Sequence, residues 1–185
     1  MSLRDRMVGI MYKAATSSRR TRILLTPVGP IVFSVLIWLF IVMFLQVDKV
    51  LGFPKLFSPL LSLIISVPVL AVGLFFWVWS ALHFGKAKGT PVPFNPPPKL
   101  VATGPYAYVR NPMLTGVYIT LFGLGILLRS ISVAFIFTPL FVLLNAWELK
   151  AIEEPELEKR LGNEYIEYKK KVPMFIPRVK GRTER

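Results

Sequence analysis

The residues of this chain best suited to chemistry fall into two short groups. One is the carboxylate pair Glu153 and Glu154, with Asn145 and Glu148 before it and Arg160 after it; the other is Arg110, Asn111 and Pro112 within the segment GPYAYVRNPM, residues 104–113. Carboxylates accept hydrogen bonds, hold cations or act as general bases, and arginines pair with carboxylates or hold anions. Glu153 and Arg160 lie seven residues apart, so on a helix they share a face. Spacing alone does not choose a base among Glu148, Glu153 and Glu154. For Arg110 and Arg160 three uses stay open: pairing with these carboxylates, holding an anionic substrate group, or meeting lipid headgroups. There is no cysteine and a single histidine, His83. Disulfides, thiolate nucleophiles and cysteine- or histidine-rich metal centres are therefore excluded, and no metal site is expected.

These groups must be carried by the elements of a membrane protein. Hydrophobic residues are 54% of the 185, and the mean hydropathy is +0.55, too apolar for a soluble domain of this size. A formal net charge of +13 is accounted for by anionic lipid and topology, so nucleic acid is not an expected partner. Four uncharged runs predict four transmembrane helices, over 30–47, 56–84, 112–128 and 130–147, since at ~1.5 Å per residue each approaches or exceeds a ~30 Å hydrocarbon core. The second is long enough to tilt or break, with Pro59 and Pro68 as the places for it. Only Arg129 and Ser130 separate the last two runs, which predicts a tight antiparallel hairpin. The fourth run passes straight into WELKAIEEPELEKRLGNEYIEYKKK, where Ile152, Leu157 and Leu161 approximate one apolar stripe and Gly162 offers a stop. The expected architecture is a single all-α membrane domain over residues 1–185, with a basic N-terminus (1–22), a loop (85–111) and a tail (148–185).

With four spans, the N-terminus, the loop and the tail share one side. Six of the lysines and arginines fall in the first 22 residues, four in the loop and ten from residue 148 onward, against Lys49, Lys55 and Arg129 on the other side. This bias predicts a multi-pass protein with both termini in the cytoplasm. Pro91, Pro93, Pro96, Pro97 and Pro98 favour an extended, pre-ordered loop. Asn145 and Glu148 sit three apart on the last span, where polar side chains are costly, so they are expected to face a pocket. Gly116, Thr120 and Gly123 are read as residues that let helices pack closely; the GLG at 123–125 is no dinucleotide fingerprint, because no strand precedes it and the GxGxxG spacing fails. His83 is read as an interfacial structural histidine, and Trp77, Trp79 and Trp147 as interface or core aromatics.

The two groups, in this order and spacing, resemble the isoprenylcysteine carboxyl methyltransferase family and its phospholipid methyltransferase relatives. That family has LVxxGPYxxxR(H/N)Pxx, a helical hairpin, then EExxLxxxFGxEYxxYxxxVPxxxP; this chain reads LVATGPYAYVRNPML and EEPELEKRLGNEYIEYKKKVPMFIP, within residues 99–177. The resemblance implies a membrane-embedded methyltransferase that binds S-adenosylmethionine at the cytoplasmic surface and takes a lipophilic acceptor from the bilayer. It places Lys99, Leu100 and Val101 where backbone groups meet the cofactor, Tyr106 where an aromatic side chain does, and Gly104 with them among the cofactor-binding residues. Asn111, Pro112, Met113 and Leu114 fall beside them, and Glu153 at the cofactor's polar end. On the same reading Glu153, Glu154, Arg110 and Arg160 are candidates for catalysis, and Asn145, Glu148 and Leu149 for the acceptor pocket. Leu149 stands where the carboxyl methyltransferases have an arginine for the substrate carboxylate, Asn111 replaces the histidine, and Leu114 the tyrosine often found there. The acceptor thus stays open between an isoprenylcysteine-like carboxylate and a phospholipid amine of phosphatidylethanolamine type. A non-catalytic membrane scaffold that kept the fold is a third reading, and the sequence does not set the oligomeric state.

Overall fold

A computed structural model describes residues 3–18, 20, 21, 24, 26–86, 96, 97 and 99–177; Arg19, Arg22, Pro91, Pro93, Pro98 and residues 178–185 lie outside that set. The described residues form helices and no strand. Helix α1 spans Leu3–Ala15, α2 Val28–Val50, α3 Pro59–Lys86, α4 Pro112–Leu127, α5 Val133–Leu161 and α6 Asn163–Lys171, with a short 3₁₀ turn at Gly104–Ala107 before α4.

Helices α2, α3 and α5 are long and apolar enough to cross a membrane. The third expected span, α4, is a shorter apolar helix of 16 residues, about 24 Å at ~1.5 Å per residue. Pro68 does not break α3, which continues through it, and Pro59 is the first residue of that helix, where its missing N–H costs no helical bond. The fourth expected span does not stop at Trp147. It continues as α5 to Leu161, so Asn145, the glutamates and Arg160 all ride on one rod.

Two π turns, Val133–Phe137 and Leu149–Glu153, interrupt α5, and two residues beyond each comes a proline, Pro139 or Pro155. A proline ring clashes with the carbonyl four residues back. Widening the turn ahead of it by one residue moves that carbonyl aside, so that the Thr138 and Glu154 N–H groups donate five residues back, to Val133 and Leu149. Gly162, at φ +61, ends the rod.

Helices α3 and α4 run antiparallel with their backbones almost touching. A Cβ on Gly116 would lie 2.7 Å from both the Gly73 carbonyl oxygen and the Trp77 nitrogen, and one on Gly123 2.9 Å from Leu70 Cδ2. Gly125 meets α5 in the same way, 2.6 Å from the Ala134 nitrogen. The glycines of this stretch therefore serve close packing. Helix α2 leans on α5 through an aromatic seam, Phe33 on Phe141 at 5.9 Å, and Phe40 and Phe44 on Phe137 at 5.6 and 5.3 Å. Around it lies the core of Phe44, Leu121, Val133 and Phe137.

The α4–α5 turn is tight, as its length predicts. Arg129 adopts φ +58, and its Nε donates to the Phe57 carbonyl at 2.7 Å. Asp48 of α2 accepts the Ser132 N–H at 2.9 Å, satisfying a donor that the start of α5 leaves open. Trp38, Leu60, Leu82 and many other large apolar side chains of α2 and α3 stay exposed. Such a surface suits lipid, which makes no demand for polar partners once the helices have paired their own backbones. The molecule is an all-helical integral membrane protein.

Candidate functional site

The GPYAY segment folds over the end of α3. Gly104 has φ +60, and a Cβ there would strike the His83 ring, whose Nδ1 pairs with the Trp79 carbonyl at 2.9 Å. Only glycine meets both the conformation and the space, and His83 is the seat of the turn. Tyr106 is buried edge-on against Phe84 at 5.0 Å, and its carbonyl accepts the Tyr168 hydroxyl of α6 at 2.7 Å. Burial pushes the Tyr168 hydroxyl well above the usual tyrosine range, so it remains a donor. Pro112 is buried at the first position of α4.

Arg110 knots the two sequence blocks together. Its N–H donates to the Pro173 carbonyl at 2.8 Å, and that of Asn111 to Met174 at 3.1 Å. Arg110 Nη1 donates to the Val172 and Lys169 carbonyls at 2.5 and 3.1 Å, and Nη2 to Glu154 Oε1 at 2.5 Å. Lys169 Nζ lies 2.6 Å from the other Glu154 oxygen. Arg160 Nε donates to Glu156 at 2.8 Å, and its Nη1 to the Pro97 carbonyl at 3.3 Å. Glu154 and Glu156 are each 3% exposed, and carboxylates buried to that degree need such partners. Glu154, Arg110 and Arg160 thus spend their charge inside the protein, holding the 97–111 segment to the end of α5, to α6 and to the VPM segment.

Between these blocks and the apolar helices lies a cavity of about 940 Å³. Its polar end is lined from the first block by Lys99, Leu100, Val101, Tyr106, Arg110, Asn111, Met113 and Leu114, and from α5 by Asn145, Glu148, Leu149, Glu153, Glu154 and Arg160. Of the residues singled out from the sequence, Gly104 and Pro112 do not line it; they shape the turn that does. Glu148 and Glu153 are five residues apart, the span of one hydrogen bond in the π turn between them, and both line the cavity. Among the described residues neither is in an ion pair or hydrogen bond. Asn145 Nδ2 donates to the Phe141 carbonyl at 2.8 Å, and Leu149 is 1% exposed.

From this polar end an apolar arm follows α2 between Pro30 and Ile41, opposite Val117, Leu121 and Leu124 of α4. Trp38 lines the arm yet is 62% exposed, so the arm borders the lipid. Sequence reasoning missed the walls made by Phe33, Trp38, Tyr165 and Tyr168. For the two tyrosines the EYIEY spacing was an available signal; for α2 there was none, because its cavity face is as apolar as its lipid face.

A family model described as phospholipid methyltransferase matches residues 61–164, more than half of the chain. A curated relative, the nickel-cobalt-cadmium resistance protein NccN of Alcaligenes xylosoxydans xylosoxydans, is 30% identical over 102 residues, which make up 55% of this chain and 43% of that protein. The chain therefore spans less than half the length of that relative. No solved structure matches the chain.

Proposed function

The chain belongs to the phospholipid methyltransferase family, and we propose that it transfers a methyl group from S-adenosylmethionine to a lipophilic acceptor that enters from the bilayer. The observation that carries this reading is a cavity in which two carboxylates, without ion-pair partners among the described residues, stand where a polar end meets an apolar arm.

S-adenosylmethionine has an ammonium, a carboxylate, a ribose and a sulfonium, and the residues present fit it. Glu148 and Glu153 suit the ammonium. Lys99 at the exposed rim, and the buried Arg110 Nε, which has no hydrogen-bond partner among the described residues, suit the carboxylate. Tyr106, Phe84 and Trp77 offer aromatic walls. When bound, the cofactor supplies an electrophilic methyl group. The protein's task is then to hold the acceptor's nucleophilic atom in line, about 3–3.5 Å from the methyl carbon, and to keep water out.

Charge favours an amine acceptor over a carboxylate. Arg110 and Arg160 already pair with Glu154 and Glu156, the Nε donor left on Arg110 is assigned to the cofactor's carboxylate, and Leu149 offers no cation, so an anionic acceptor beside Glu148 and Glu153 would be repelled without compensation. An amine must give up a proton before it attacks, and the glutamate not holding the cofactor's ammonium is positioned to accept it. The lysine and arginine bias puts this end of the molecule, and both termini, in the cytoplasm.

Calorimetry on the purified protein is expected to show S-adenosylmethionine binding, at least ~10-fold weaker in Glu153→Ala, as for loss of a charged hydrogen bond; a wild-type protein without affinity overturns the reading. Membranes incubated with methyl-labelled cofactor then identify the acceptor. Base-stable label in an amine lipid supports the amine, a base-labile methyl ester the carboxylate, and no labelled lipid from folded protein the non-catalytic scaffold.

A further inference from the structure

Helix α1 lies outside the family-matched residues 61–164, yet it is fastened to the part of α5 that carries the cavity's carboxylates. Arg4 Nε donates to the Ala151 carbonyl at 2.9 Å, and Lys159 Nζ sits 4.3 Å from the centre of the Tyr12 ring. Ala15 is buried, and Met11 forms part of the cavity wall. Ala151 is the middle residue of the π turn between Glu148 and Glu153. Four residues further on, Pro155 has no N–H to give its carbonyl. The donor from Arg4 stands in for a bond that α5 cannot make for itself.

We propose that Arg4 is a positioning residue for the cavity: by holding the Ala151 carbonyl it fixes the widened turn that sets Glu148 and Glu153 on one face, and so makes α1 part of the site. The claim about the turn stands on geometry alone, whereas the claim about the cavity rests on the function proposed above. The two are separated by reading the same variants in two ways. Amide hydrogen exchange over residues 149–155 of the full-length protein reports the turn without any ligand, and calorimetry with S-adenosylmethionine reports the cavity.

Arg4→Ala is expected to speed exchange in that segment and to weaken cofactor binding about fivefold, the worth of one ordinary hydrogen bond. Arg4→Lys keeps a donor and stays within about twofold of the wild type. Pro155→Ala returns an intrahelical N–H to the carbonyl. Adding Arg4→Ala to that background then changes exchange and affinity by no more than about twofold, the limit expected of independent sites. An Arg4→Ala protein with unchanged exchange, or an Arg4→Ala effect equally large with and without Pro155, overturns the inference. Faster exchange with unchanged affinity overturns the positioning role and leaves Arg4 a brace for the helix. Were the wild-type protein not to bind the cofactor at all, the functional reading would fall, and the exchange cycle would still decide whether Arg4 fixes the turn.

Discussion

At the hairpin end of the bundle, polar groups meet protein partners: Asp48 accepts the Ser132 N–H, the Ser130 hydroxyl accepts the Val133 N–H at 3.0 Å, and Arg129 donates to Phe57. At the opposite end the same economy governs Glu154 and Glu156, which are held by Arg110, Lys169 and Arg160. It stops at Glu148 and Glu153. These two sit on the same helix, within eight residues of the satisfied pair, and face the cavity without an ion-pair partner among the described residues. Desolvated charge without a partner is costly, so two cavity-lining carboxylates left without an ion pair among the described residues are a local mark of a candidate site. Polar residues that hold the fold together and the polar residues proposed to meet a ligand differ here in their partners and not in their residue type.

Substitutions can break that distinction. The largest loss is expected for Glu154→Ala, which strands Arg110 at the junction of both sequence blocks; breaking a buried pair costs about 3–5 kcal/mol, to be read as a lowered unfolding midpoint in detergent. Gly116→Ala should follow at about 1–3 kcal/mol, because its methyl group would press on backbone atoms of α3 that have no rotamer to escape into. Asp48→Ala removes a cap on α5 and should cost about 1 kcal/mol, with cofactor affinity unchanged. Glu153→Ala comes last, with no loss of stability, because it removes a carboxylate that has no ion-pair partner among the described residues, although it is the variant expected to lose the cofactor. If Glu153→Ala and Glu154→Ala destabilised the protein equally, the separation of scaffold from site would be lost.

Much of this molecule was legible in its sequence. Uncharged runs located the membrane helices because nothing but apolar sequence suits lipid, and the two-residue gap at Arg129 and Ser130 required a hairpin. The paired blocks located the cavity, and fourteen of the sixteen residues singled out for it line its wall. What stayed hidden was which carboxylates are spoken for. Glu154 pairs with a residue 44 positions away, and no local pattern separates it from its neighbour Glu153. The π turns were hidden too, although Pro139 and Pro155 mark them once the geometry is known. The place of α1 depends on contacts across some 147 positions, Arg4 with the Ala151 carbonyl and Tyr12 with Lys159, which leave no periodic trace.

The length of α5, continuous through its two π turns, sets a distance. Glu153 stands twenty residues past Val133 on one helix, about 30 Å along its axis at ~1.5 Å per residue, which is roughly the thickness of a bilayer's hydrocarbon core. On the function proposed above, a rod of this length is a gauge that would hold the cavity's carboxylates level with the lipid headgroups. A molecule whose head reaches that level can leave its tail among its neighbours in the membrane, and so avoids the cost of about 0.8 kcal/mol for each methylene it would otherwise draw into water.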